Sequence, residues 1–263
     1  MCYVMCVLDN IVGVTQLRDV VYIVCRGSSA ISRFHATTHQ QLEDIMVKDL
    51  RVPCDIAACE RTSRVYILDA LECIWRVSSD GEDVKCWLSK SPLEICNWWS
   101  LSVTSSRILV TSHNPSQLIQ YNTFGDELRR VLLADYMFPF HSIELPAGTF
   151  ITSYDNRQLK QRQVSQVNTN GHELHQFSGS HLLPLVYTPH IAVDSQGNIF
   201  LADWENRRIL LLNSQLALRR VIISEFQLDE HKLDYEKPQR LCYIEQLGQL
   251  LVVLDQSVAV FDV

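Results

Sequence analysis

His141 and His190 each open a short apolar run, and the carboxylates Glu144 and Asp194 follow three and four residues later. Histidine beside a carboxylate is the raw material of general acid–base catalysis and of divalent-metal ligation. Both uses need several such groups converging from different segments. The matching inner positions of the other runs hold Ala58, Ser102 and Tyr243, which offer no ligand set. Two histidines alone leave a zinc site incomplete. The chain carries no nucleophile elbow and no phosphate loop. These residues lead to the expectation of a protein that is not an enzyme and holds no metal and no cofactor.

A second set has a different character. Arg51, Phe138, Phe140, Arg157, Tyr187, His190, Trp204, Arg207 and Arg240 fall in or beside turns that connect apolar runs. Aromatic anchors and arginines dominate binding hot spots, and aromatics interleaved with arginines also stack nucleobases. Trp204 stands out because nothing in its polar turn obliges a large aromatic. The net charge is −7 and the isoelectric point about 5.7. An acidic whole exerts no long-range pull on phosphate backbones or anionic membranes. The reading is a binding scaffold for a protein or peptide partner. RNA bound through the same arginines and aromatics is the alternative, and neither DNA nor a membrane is expected.

The elements that position these residues repeat. A polar, mostly glycine-bearing turn recurs ahead of Val84, Leu128, Leu174 and Leu218, at intervals of 44, 46 and 44 residues, with Leu42 in the same slot one unit earlier. Glycine takes the positive φ of a hairpin turn at little cost. Each unit also contains an inner run, at 10–14, 55–59, 99–103, 141–145, 190–194 and 240–244, and a second run some ten residues on. Four short strands per unit of about 40–45 residues mark a β-propeller. The six units predict an all-β, six-bladed β-propeller with four-stranded antiparallel blades, occupying 1–263 as one domain.

The last unit stops after its third strand, whereas residues 3–8 supply a spare strand ahead of the first. Pairing that N-terminal strand into the last blade closes the ring and protects its edges. The N-terminal stretch lacks the basic n-region and cleavage site of a signal peptide. The chain has no apolar run of membrane-spanning length. Its nine cysteines show no Cys-x-x-Cys spacing and read as reduced thiols of a cytoplasmic protein.

One unit is more specific than the rest. Pro189, Ile191-Ala192-Val193-Asp194, Gly197-Asn198-Ile199, Leu201-Ala202-Asp203 and Asn206-Arg207-Arg208-Ile209 resemble an NHL repeat. The other five units match by period and in fragments such as Tyr154-Asp155-Asn156-Arg157. The resemblance implies a six-bladed propeller like those of the tripartite-motif family. There such domains follow a RING, B-boxes and a coiled coil, and bind substrate proteins or single-stranded and hairpin RNA. The chain then reads as a free-standing propeller or as the substrate-recognition part of a longer, ubiquitin-ligase-type protein. Within the motif, Asp203 and Asn206 are expected to bond local backbone and side chains of their turn.

Overall fold

In the computed structural model, the apolar runs pair into six four-stranded antiparallel sheets, one per repeat. The structure describes all residues except 1, 9, 72, 90–97, 105, 180–183, 188 and 231–235. The inner strands are Ile11–Leu17, Pro53–Cys59, Trp98–Thr104, Met137–Glu144, His190–Val193 and Arg240–Ile244, numbered here as blades 1 to 6. Each is followed by a second, a third and an outer strand in meander order. The second strands are buried almost throughout, as in Arg64–Asp69 and Phe150–Asn156, because neighbouring sheets cover them on both faces. The outer strands of blades 3 and 5 are largely exposed and charged. Arg129, Arg130, Arg219 and Arg220 lie on them and blunt the open edges.

Blade 6 takes its outer strand from the other end of the chain. Cys2–Val7 pairs antiparallel with Ser257–Asp262, with Tyr3 opposite Val260 and Val4 opposite Ala259. The ring is closed as the sequence predicts. The short helix Glu225–Glu230 in the connection between blades 5 and 6 has no counterpart in the repeat pattern and was not legible from it.

The core is distributed. Six apolar clusters form, one at each junction between blades. Tyr22 and Val24 of blade 1 meet Ile56, Ile67 and Trp75 of blade 2, and Met5, Val253 and Val260 of blade 6 meet Val14, Ile23 and Phe34 of blade 1. The tight fit reaches the turns. A Cβ on Gly171, at φ 80°, would lie 1.9 Å from the Leu132 carbonyl oxygen of the preceding blade.

Deleting residues 1–8 should strip the outer strand from blade 6 and bare the junction that closes the ring. We expect a loss of about 3 kcal/mol or more, read as a fall in melting temperature of about 10 °C in a chain of this size. A truncated chain that melts within a few degrees of the intact one would show that closure contributes little.

Candidate functional site

The inner strands begin at the end of the propeller that also holds the turns between second and third strands. In blades 1 to 4 the pairing of inner and second strands slips by one residue, between Ile11 and Gly13, Pro53 and Asp55, Trp98 and Ser100, and Pro139 and His141. Such a bulge re-aims the residue that follows it. Those residues are Gly13, Asp55, Ser100 and His141, and His190 and Arg240 fill the same slot in blades 5 and 6. Together they ring the mouth of the axial channel.

The slot residues bridge blades. Asp55 Oδ2 accepts the Leu101 N–H of blade 3 at 2.9 Å, and its Oδ1 accepts the N–H of Ile56 at 2.9 Å. His141 Nδ1 accepts the Ile191 N–H of blade 5 at 3.3 Å, and His190 Nδ1 the Leu241 N–H of blade 6 at 3.2 Å. Arg240 Nε donates to the Val12 carbonyl of blade 1 at 3.0 Å. In blade 3 the bridge comes from Ser102, whose hydroxyl donates to the Ser142 carbonyl at 2.8 Å. Gly13 has no side chain because a Cβ would stand 2.9 Å from the Ile56 nitrogen.

These bonds fix the chemistry of the mouth. Ligand atoms of Asp55, His141 and His190 lie within 4.8 Å of one another, a grouping that invites a metal reading. A metal-bound histidine donates its other ring N–H to an acceptor. Here the other nitrogen receives an N–H instead, so the neutral ring carries its proton on Nε2 and has no lone pair left for a cation. The two imidazoles stack at 3.8 Å and 21°. Burial, then the Arg240 charge, holds His141 down to about 3. Burial, His141 and Arg240 hold His190 well below the ordinary histidine value. Both rings are neutral donors at neutral pH. Burial lifts Asp55 to about 6 against the pull of Arg240 and the two backbone N–H groups.

The sequence-predicted binding residues fall into two aromatic groups and two separate arginines. Tyr187 and Trp204 meet at 4.5 Å, with Lys237 Nζ 3.8 Å over the tryptophan ring. They wall a pocket of about 270 Å³ shared with His190, Ala202, Pro238, Gln239 and Arg240. His190 also lines the axial channel, a cavity of about 190 Å³ that it shares with Asp55, Ser102 and His141. Phe138 packs on Phe140 at 5.4 Å and on His113 at 4.3 Å, and the exposed Arg157 lies 4.0 Å above its ring. Arg51 is exposed on the segment leading into blade 2, where its N–H bonds Asp69. Arg207 is a clamp, pairing with Glu225 at 2.9 Å and Asp229 at 2.8 Å and so tying down the helix between blades 5 and 6.

The carboxylates expected beside the histidines are elsewhere. Glu144 lies at the far end of its inner strand, paired with Arg107 at 2.8 Å. Asp194 holds its own turn, accepting the N–H groups of Gln196 and Asn198. Asp203, fully buried, accepts from Asn206 and Arg208, as its turn role predicts. Sequence reasoning missed Asp55, although Asp55, His141, His190 and Arg240 stand in the first column of the aligned inner strands. It also missed Lys237, which no repeat signal marks.

No protein-family model matches the chain, and no curated protein matches it. Solved structures match its fold. Streptogramin B lyase is 10% identical, with 99% of this chain and 96% of that one covered and a TM-score of 0.65. A catalytically inactive virginiamycin B lyase from Staphylococcus aureus, solved with quinupristin, is 11% identical over 96% and 80%, with a TM-score of 0.66. A chain of a nidogen–laminin complex is 15% identical over 82% and 81%, with a TM-score of 0.63. At such identities the likeness is one of fold, and it defines the protein as a six-bladed β-propeller. It also corrects the expectation that the protein is not an enzyme. Two of these propellers are lyases, so the architecture does not argue against catalysis.

The bridges make stability depend on pH. A histidine whose folded-state pKa is depressed gives stability that is present above its free value of 6.5 and is lost as pH falls toward about 3. Asp55 runs the other way: its contribution is full below 3.8 and is lost as pH rises through about 6. Two histidines oppose one aspartate, so the melting temperature should fall between pH 7 and pH 4.5. His141→Asn keeps an acceptor for the Ile191 N–H and removes one titration, and its melting temperature should fall less over that range. Calorimetric melts of both proteins at the two pH values check this, and an unchanged slope would count against it.

Proposed function

We propose that the protein binds a peptide segment of a partner protein across the face where its inner strands begin. The observation that carries this reading is the distribution of exposed apolar side chains. Among the described residues outside the strands, Leu71, Leu159, Val186, Tyr187 and Phe226 crop out on this face, against Phe124 and Leu247 on the other. Apolar groups gathered on one face of a soluble fold mark an interaction site. The Tyr187–Trp204 and Phe138–Phe140 groups add preformed aromatic anchors on the same side.

The resemblance of 189–209 to an NHL repeat supports the same choice, since such propellers recognise substrate proteins. An RNA ligand is less favoured. Arg207, Arg208, Arg162 and Lys237 on this side are each matched by a carboxylate, which leaves a small footprint for phosphates.

Selection from a displayed random-peptide library tests the reading. Wild-type protein should enrich a peptide family, and Tyr187→Ala with Trp204→Ala should weaken the selected peptide by about ten-fold or more, roughly 1.4 kcal/mol. The melting temperature should move little, because both side chains reach solvent. Failure to enrich any peptide, or unchanged binding by a folded double variant, would overturn it. Steeply salt-dependent binding to a single-stranded RNA pool would establish the alternative instead.

A further inference from the structure

Arg240 is held differently from Arg207 and Arg208 at the same end of the molecule. Arg207 is matched by Glu225 and Asp229, and Arg208 by Asp203. Arg240 is half-buried, and its described partners are two neutral carbonyls, Val12 at 3.0 Å and Gln239 at 3.4 Å. Asp55 shares the mouth with it, yet both Asp55 oxygens are engaged by backbone N–H groups, and no ion pair joins the two among the described residues. A guanidinium withdrawn from water without a carboxylate in contact leaves a charge that a bound anion would compensate. Guanidinium geometry matches the two oxygens of a carboxylate.

The rest of the pocket narrows the ligand. His190 lines it and carries its proton on Nε2, because its Nδ1 is spent on Leu241. Tyr187, Trp204, Ala202 and Pro238 form the remaining, largely apolar wall. A carboxylate oxygen of Asp55 lies within 4.8 Å of a ring nitrogen of His190, so a dianion such as phosphate meets repulsion that a monoanion meets less. We propose that this pocket binds a carboxylate carried on a flat or apolar group, with Arg240 and His190 holding the oxygens and Tyr187 and Trp204 covering the apolar part. The carboxylate can belong to a peptide, as a chain terminus or an acidic side chain, or to a free small acid. The peptide source rests on the proposed function; the pocket itself does not.

The probe is phenylacetate, titrated against the full chain by saturation-transfer NMR, with phenylacetamide as its neutral twin. Phenylacetate should bind saturably and the amide at least about ten-fold more weakly. Arg240→Gln should abolish that preference. If Arg240→Gln fails to fold, because Arg240 also ties blade 6 to blade 1, the exposed Tyr187→Ala decides: it should weaken phenylacetate without altering the melt. Equal binding of acid and amide, binding of neither, or a preference that survives in folded Arg240→Gln would overturn the site. So would phenylacetate affinity unchanged by Tyr187→Ala.

Selected peptides made with free and amidated C termini identify the source. Loss of binding on amidation assigns the pocket to a chain terminus. Equal binding of both forms, with phenylacetate competing, assigns it to an acidic side chain. Phenylacetate that binds without competing assigns the pocket to a free acid and leaves the peptide reading intact. Selected peptides with no phenylacetate binding remove only the carboxylate site, and the reverse result removes only the peptide reading.

Discussion

A blade of this propeller buries one face against the blade before it and the other against the blade after it, and the ring holds only when the last junction is made. Among the described residues no blade has a core of its own: each of the six apolar clusters draws on two neighbours. This is the energetic logic of repeat folds, in which a unit is stable through its interfaces. A linear array would leave two such faces bare. Borrowing Cys2–Val7 for the outer edge of blade 6 ties the two ends of the chain into one sheet, so that opening the ring also breaks a strand ladder.

The same constraint produces the polar mouth. Inner strands that converge on an axis bring backbone N–H groups of one blade toward side chains of the previous one, and a buried N–H must find a partner. Asp55, His141 and His190 supply acceptors, Arg240 supplies a donor to Val12, and Gly13 yields space where the approach is too close for any side chain. What looks like a catalytic or metal constellation in a list of residue types is therefore first a set of struts. The struts still have consequences for chemistry. By occupying Nδ1 they settle which imidazole nitrogen carries the proton, and so turn two potential ligands into two hydrogen-bond donors.

The fold was legible because its signal is periodic and redundant. Turn chemistry, inner runs and second runs each recur, so an error in one unit is outvoted by five others, and the spare N-terminal strand has one place to go. The face that collects Trp204, Tyr187, Phe138 and Phe140 was legible for the same reason, since antiparallel meanders send alternate turns to opposite ends. The site was less so. Counting inward for acids pointed to Glu144 and Asp194, yet the first lies at the far end of its strand and the second in a turn there. Two of the residues that do gather, Asp55 and His141, follow bulges that shift the strand register by one, and nothing in the sequence marks a bulge at Cys54 or Phe140. The pairing of Arg207 was illegible for a related reason. Its turn position is as expected, but the helix that neutralises it lies outside the repeat.

Because the struts and the mouth are the same residues, binding there and ring stability cannot be independent. Arg240 contacts the Val12 carbonyl across the closing junction and also lines the Tyr187–Trp204 pocket. His190 joins blades 5 and 6 and faces both that pocket and the channel. A ligand that satisfies Arg240 lowers the cost of holding a half-buried charge in the closed ring, and whatever binds the native state alone stabilises it by mass action. The chain's net charge of −7 does not oppose this. The acidic groups sit mainly on turns and outer strands, where solvent and salt screen them. Among the described residues the mouth holds one carboxylate, one guanidinium and two neutral imidazoles, an electrostatic balance that a single negative charge would alter locally rather than globally.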